Sequence, residues 1–192
     1  MLSQLISRIR RNHGLEHATI HVLSEKHKRF SAQGNSHHLG FSLNIYGNLT
    51  EEQVKTAVFE AHRRLKNGEH HLAVHPNCGT VLLTTAAMTT LAAQITLAVE
   101  QKRNGRDQSH TPATFFNAIY SAILPVTMTL IISRPIGMFL QSRYTVDGRI
   151  GSMEIISIEK VSPSPVTRFF QLLLTGGRQQ LPATSYRIVT RG

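Results

Sequence analysis

Two long blocks of this chain contain no charged residue, and they constrain its fold more than any other feature of the sequence. They span residues 76–99 and 114–133. A helix needs about 20 predominantly apolar residues to cross the hydrocarbon core of a bilayer, and each block is long enough. The connection between them, residues 100–113, is short and favours antiparallel helices. The sequence therefore predicts a two-helix membrane hairpin over residues 76–140.

The charge distribution also fits a membrane protein. The chain carries 21 Lys and Arg against 11 Asp and Glu, and all of them lie outside the two blocks. Because most Lys and Arg lie on the terminal segments, we predict that both termini face the cytoplasm from an inner or plasma membrane. The second block is bordered by aromatic residues of the kind that anchor at membrane interfaces: Phe115, Phe116, Tyr120, Phe139 and Tyr144.

A pair of buried helices in a soluble domain is the alternative interpretation of the two blocks. A chain with 17% charged residues and a mean hydropathy of −0.13 would then need almost every apolar residue in that one core. The single cysteine, Cys78, excludes an internal disulfide. The N-terminus also lacks the pattern of a cleaved secretory signal, so we expect no cleavage there.

The whole chain is predicted to be an α+β protein in three parts. Residues 1–75 would form a small polar N-terminal α/β domain, residues 76–140 the hairpin, and residues 141–192 a polar C-terminal segment with short strands. In that last segment the sequence predicts strands at residues 153–160 and 185–190. A linker and an apolar patch lie between these two strands.

Within the N-terminal part the patterns predict two helices and one strand. Helical spacing of apolar residues covers residues 2–23, and alternation of apolar and polar residues over residues 41–47 is typical of a strand. The polar residues 24–40 between them are predicted to be a loop. The second helix should begin after a capping box at Thr50 and end at Gly68. Residues 72–79 should follow as a short extended segment that ends in a turn.

The first helix contains the pattern H-x-x-E-H, formed by His13, Glu16 and His17. At about 100° per residue, these three fall on the same side of the helix as an apolar stripe. The stripe consists of Leu2, Leu5, Ile6, Ile9 and Ile20. Three other apolar residues are expected to point elsewhere: Leu15, Ala18 and Val22. The three polar groups should therefore be buried.

Burial of two imidazoles and a carboxylate costs several kcal/mol unless the groups pair with each other or bind a cation. Histidines at i and i+4 can both reach one tetrahedral zinc, and a neighbouring Glu can take a proton from zinc-bound water. His75 and Cys78, spaced H-x-x-C in a tight turn, would complete a closed set of four ligands with His13 and His17. The alternatives are that His75 caps the turn, that Cys78 is a small buried apolar residue, and that no metal binds.

H-x-x-E-H is also the signature of the inverzincin metallopeptidases. That resemblance covers five residues and implies that His13 and His17 are ligands and that Glu16 is a general base. Those enzymes take a further ligand from a downstream Glu on another helix. In this chain Glu60 lies on such a helix, but it points away from that helix's apolar stripe.

Longer motifs, "NHGLEHATIHVL" and "RLKNGEHHLAVHPNCGT", resemble a family of small bacterial membrane proteins of unknown function, from about residue 10 to residue 160. The resemblance implies a short polar domain, a membrane hairpin and a polar C-terminal segment, and it implies no activity. The motif positions in this chain are His13, Glu16, His17, Gly40, His75, Pro76, Cys78 and Gly79.

Three functional hypotheses follow. The first is a membrane-anchored zinc-dependent hydrolase with Glu16 as its base. The second is a non-enzymatic subunit of a membrane protein complex. The third is a basic peripheral protein that binds anionic lipid or nucleic acid, although the basic and aromatic pattern of an RNA-binding sheet is missing and no specific nucleic acid is expected.

Extraction from membranes separates the hairpin from peripheral binding. If residues 76–140 cross the bilayer, detergent will release the protein and high salt will not, because the hydrophobic anchor does not depend on screened charges. The measurement is the protein content of the supernatant after each wash. Release by salt alone would contradict the hairpin and favour the peripheral hypothesis.

Overall fold

The computed structural model describes residues 2–103, 112–165, 167–169 and 183–192. The chain divides into two compact units. The first unit combines Met1–His75 with Ser142–Gly192, and we call it the mixed domain. The second unit is Pro76–Gln141, which we call the helical unit.

The elements follow one another along the chain in an α+β arrangement, as predicted. They are α1 (Leu2–Lys26), β1 (Ser31–His37), β2 (Gly40–Tyr46), α2 (Glu51–Lys66), a 3-10 turn (His70–Ala73), α3 (Gly79–Arg103), α4 (Pro112–Leu140), a π-helical turn (Gln141–Thr145), β3 (Glu154–Val161) and β4 (Ala183–Arg191).

The mixed domain is built on one antiparallel sheet of four strands in the order β1-β2-β4-β3. The C-terminal strands β3 and β4 therefore complete a sheet that β1 and β2 begin. Alternate residues of the two central strands face the core, where Phe41 and Leu43 of β2 lie opposite Ile188 and Tyr186 of β4. All four are at most 1% exposed, so the C-terminal segment provides part of the core of this domain.

Helix α2 matches the sequence prediction closely. Thr50 forms a complete capping box with Gln53, and the chain leaves the helix through Asn67 and then Gly68, which has φ of +95°. Positive φ favours glycine. The apolar stripe of α2 is buried in the core as expected: Val54, Ala57, Val58, Ala61 and Leu65.

The predicted apolar stripe of α1 is wrong as a description of its buried face. Leu2, Leu5 and Ile6 are exposed, whereas Leu15, Ala18 and Val22, which the wheel directed elsewhere, are fully buried. The physical reason is that α1 enters the core only in its second half, where other elements cover it on almost every side. A single helical wheel for the whole of α1 combines its exposed first turns with its buried second half, so it cannot describe either.

Two local predictions are also corrected. Residues 24–40 are not all loop, because Ser31–His37 form β1, which pairs only with β2 and lies at the edge of the sheet. Its polar sequence carries no alternation that a strand prediction could use. The segment predicted as extended over residues 72–79 begins instead within the 3-10 turn His70–Ala73.

The helical unit consists of α3 and α4 packed against each other as an antiparallel hairpin. Thr85 and Ser133 share a hydrogen bond of 2.9 Å near one end, and Ser121 donates to Glu100 over 2.9 Å towards the other. Both helices are long and apolar enough to cross a membrane. The predicted connection lies mostly in residues 104–111, outside the described residues.

Most of the surface of α3 and α4 is exposed in this structure. Only 6% of the most apolar window of α3 and 11% of that of α4 is buried. A pair of helices that formed the core of a soluble domain would be mostly buried, so these figures do not fit that alternative. They leave large apolar side chains exposed along both helices.

Loss of the capping box should destabilise the mixed domain. In the variant Thr50→Ala the backbone N–H of Gln53 loses its side-chain acceptor, so we expect the free energy of unfolding to fall by about 1 kcal/mol. A urea titration in mild detergent, followed by circular dichroism, measures it. Thr56→Ala is the control, because it lies at an exposed interior position of the same helix, where alanine is favourable. Equal losses in the two variants would contradict the cap's role.

Candidate metal site

Three histidines lie one turn apart along one face of α1. The ring centroids of His13 and His17 are 4.4 Å apart, and His21 follows one turn later. His75, just after the 3-10 turn, lies between the last two, with centroid distances of 5.7 Å to His17 and 5.0 Å to His21. The mixed domain thus contains a row of four neighbouring imidazoles. His21 was not among the predicted ligands, although its i+4 spacing from His17 is visible in the sequence.

Hydrogen bonds to the backbone fix the orientation of the first two rings. Nδ1 of His17 lies 2.7 Å from the carbonyl oxygen of Ala73, and Nδ1 of His13 lies 3.0 Å from that of Thr145. A carbonyl oxygen only accepts, so Nδ1 must carry a proton in each ring, and in the neutral ring the lone pair lies on Nε2. Metal-binding histidines use this arrangement, in which the second nitrogen donates to a carbonyl and orients the ring.

Three of the four predicted ligands, His13, His17 and His75, lie together in the mixed domain. His17 is buried, and His13 and His75 are half-buried. Neighbouring imidazoles suit zinc and other transition metals. The fourth predicted ligand, Cys78, is buried and follows His75 by three residues along the chain.

The close approach of backbone to α1 explains why the two carbonyl acceptors reach the histidines. Gly14 lies against the carbonyl of Asp147 and against Ala73, and a Cβ at this position would overlap Asp147. Asn12 is buried beside it, donates to the carbonyl of His37 over 2.7 Å and accepts from Thr190 over 2.6 Å. The helix is therefore held against several segments at the level of the histidines.

Glu16 is buried, and its carboxylate contacts strand β1. Ser36 donates a hydrogen bond of 2.6 Å to Glu16 Oε2, and the other oxygen lies over Gly34, where a Cβ would overlap it. Gly34 and Ser36 are alternate residues of one strand and so face the same side of the sheet. A glycine and a hydroxyl on this side of β1 therefore form the space and the donor that accommodate the carboxylate.

Two further histidines of the mixed domain bond to its backbone. His62 Nε2 lies 2.8 Å from the carbonyl of Met153, and His70 Nδ1 lies 2.9 Å from that of Gly148. Burial, followed by the nearby charges of His38 and Arg187, lowers the pKa of His37. These contacts are those of residues that hold loops in place.

Glu60, which the sequence places away from the apolar stripe of its helix, lies on the surface of α2. It forms an ion pair of 2.7 Å with Arg63. That side-chain hydrogen bond holds the pKa of Glu60 below its usual value. Its carboxylate is therefore paired on its own helix.

Fold and site together define a small α+β protein with a hairpin of two long apolar helices and a group of potential metal ligands. The chain belongs to the family described as Domain of unknown function (DUF6391), whose model matches residues 8–158. This confirms the resemblance to a family of unknown function, while the membrane nature of that family stays a prediction.

One relative among the curated proteins has a substantial matching segment. It is an uncharacterised protein of Picosynechococcus sp., 34% identical over 88 residues. The match covers 42% of this chain and 43% of that protein, so the chain matches less than half of the relative's length. No solved structure matches the chain.

The contact between Glu16 and Gly34 can be tested with a double-mutant cycle. Gly34→Ala should lower the free energy of unfolding by about 1–3 kcal/mol, because the new methyl group overlaps the carboxylate. The same change in a Glu16→Ala background should cost clearly less, since the overlapping atoms are gone. Urea titrations of the four proteins measure the coupling. Equal costs in both backgrounds would show that Glu16 does not occupy the space over Gly34.

Proposed function

We propose that this protein is a membrane-anchored, metal-binding protein in which His13, His17 and His75, together with Cys78, hold a transition metal, with zinc as the expected ion. The observation that supports the proposal is the row of imidazoles in the mixed domain, where the ring of His17 lies 4.4 Å from that of His13 and 5.7 Å from that of His75. The backbone hydrogen bonds at Nδ1 of both histidines add to it, because they direct the Nε2 lone pairs for coordination.

The number of ligands fits a structural site. A structural zinc site has four protein ligands. His13, His17 and His75 would supply three of them, and Cys78 is the best fourth ligand in this proposal, because it lies three residues after His75.

The site supports a structural role better than hydrolysis. A hydrolase would need Glu16 as a base beside a metal-bound water, as the H-x-x-E-H pattern predicts. The hydrogen bond from Ser36 and the packing against Gly34 direct the carboxylate towards β1. We therefore propose a non-enzymatic subunit of a membrane protein complex, in which the metal cross-links the histidines of α1 to the segment that carries His75.

The membrane part of the proposal is supported by α3 and α4. They are long, apolar and little buried, which fits helices whose apolar side chains face lipid. A position in the inner or plasma membrane with cytoplasmic termini stays a prediction from the distribution of Lys and Arg.

Elemental analysis of the detergent-purified protein tests the site. We expect about one zinc per chain, and its loss in the double variant His13→Ala/His17→Ala and in Cys78→Ser. His62→Ala is the matched control, because this histidine bonds to the backbone of the same domain outside the cluster and should leave the metal content unchanged. Absence of metal from the unaltered protein would contradict the proposal.

A further variant separates the structural role from the hydrolytic one. His75→Ala should reduce the metal content at limiting zinc, because a four-ligand site would lose one ligand. Full zinc retention in His75→Ala would instead indicate an open fourth position, as in catalytic sites.

A further inference from the structure

The first turns of α1 carry an apolar face that the protein does not cover. Leu2 is 71% exposed, Ile6 48% and Leu5 39%. Their spacing of three and four residues places them on one side of the helix, and Ile9 continues the same side. Scattered exposed apolar residues are ordinary, but a contiguous group of them marks a surface for interaction. We call residues 2–11 the N-terminal segment of α1.

The N-terminal segment is also strongly basic. It contains Arg8, Arg10 and Arg11, and the first acidic residue of the chain is Glu16. Arg10 donates to the backbone carbonyls of Arg143 and Val146. A neutral carbonyl positions a guanidinium without cancelling its charge. The segment therefore combines an apolar face with a net positive charge.

We propose that the N-terminal segment of α1 lies on an anionic lipid surface, with Leu2, Leu5 and Ile6 in the boundary between headgroups and acyl chains. A basic helix with one apolar face binds in this way, because its apolar side chains leave water while its cations attract anionic headgroups. This inference rests on the proposed membrane anchoring, which would hold the segment close to lipid, and it is independent of the metal.

Charge favours lipid over a second copy of the chain. Two N-terminal segments packed face to face would bring two clusters of three arginines together with no acidic residue within either segment, and like charges repel. An anionic bilayer has the complementary charge and needs no matching shape. The three exposed apolar side chains are long aliphatic ones, which suit a fluid surface as well as a rigid pocket.

This chain contains no tryptophan, so a single introduced tryptophan can report whether its position contacts lipid. The variant Leu5→Trp places a single fluorophore in the segment. Leu39→Trp is the matched control, because it replaces another exposed leucine of the mixed domain, in the turn between β1 and β2. Leu130→Trp, at an exposed position of α4, reports on the hairpin. Each full-length variant is reconstituted into vesicles of phosphatidylcholine with phosphatidylglycerol, with and without brominated acyl chains that quench tryptophan.

We expect the emission of Leu5→Trp to be blue-shifted and quenched by bromines near the headgroups, while Leu39→Trp emits as in water. We also expect the shift of Leu5→Trp to shrink in vesicles of phosphatidylcholine alone and in the double variant with Arg8→Gln. Quenching that is equal in both lipids would overturn the anionic part of the proposal.

The hairpin variant separates this proposal from the membrane anchor. Deep quenching of Leu130→Trp with none of Leu5→Trp would overturn the lipid contact and leave the anchor intact. A blue-shifted Leu5→Trp that brominated lipid cannot quench would indicate a protein partner and would also overturn it. Without quenching of Leu130→Trp, the hairpin itself would be wrong.

Discussion

The hydrogen bond between His17 and the carbonyl of Ala73 is the contact on which the arrangement of the site depends. It is buried, 2.7 Å long, and joins residues 56 positions apart. It fixes the tautomer of the ring and holds the 3-10 turn against α1. The next ring along the helix, that of His13, bonds in the same way to Thr145. Two distant segments are thereby anchored to one face of a single helix.

This anchoring needs a helix that other backbone segments can approach closely. Gly14 lies between the two histidines and has no side chain to keep Asp147 and Ala73 away. Gly34 has a similar effect on β1, where the missing side chain leaves space for the carboxylate of Glu16. The two glycines let one turn of α1 direct its imidazoles and its carboxylate to different neighbours. The H-x-x-E-H pattern is therefore divided between a potential metal site and a contact with the sheet.

The sheet combines strands from the N-terminal and C-terminal parts of the chain. Strand β4, near the end of the sequence, pairs with β2 and brings Tyr186 and Ile188 into the same core as Phe41. The helical unit is thus inserted, along the chain, between two parts of one domain. The core of the mixed domain therefore contains residues from both sides of the hairpin. A variant that ends after α4 would leave β2 as an exposed, apolar edge strand.

Much of the fold was predictable because it depends on local pattern. The two uncharged blocks correspond to α3 and α4, and the capping box at Thr50 begins α2, since length and hydrogen bonding of neighbouring residues decide these features. The potential ligands His13 and His17 were predictable from their i,i+4 spacing. Cys78 was predictable as a candidate from its chemistry and its distance along the chain from His75.

Only the tertiary structure decided which part of α1 is buried, that a polar segment forms β1, and where the carboxylate of Glu16 points. Leu15 lies in the core and Leu5 does not, although both are leucines of one helix. The physical reason is that burial depends on which distant segments pack against a residue, and helical periodicity carries no information about them. The sequence determined most of the elements and the potential ligands, and long-range packing determined the edge strand β1 and the neighbours of each element.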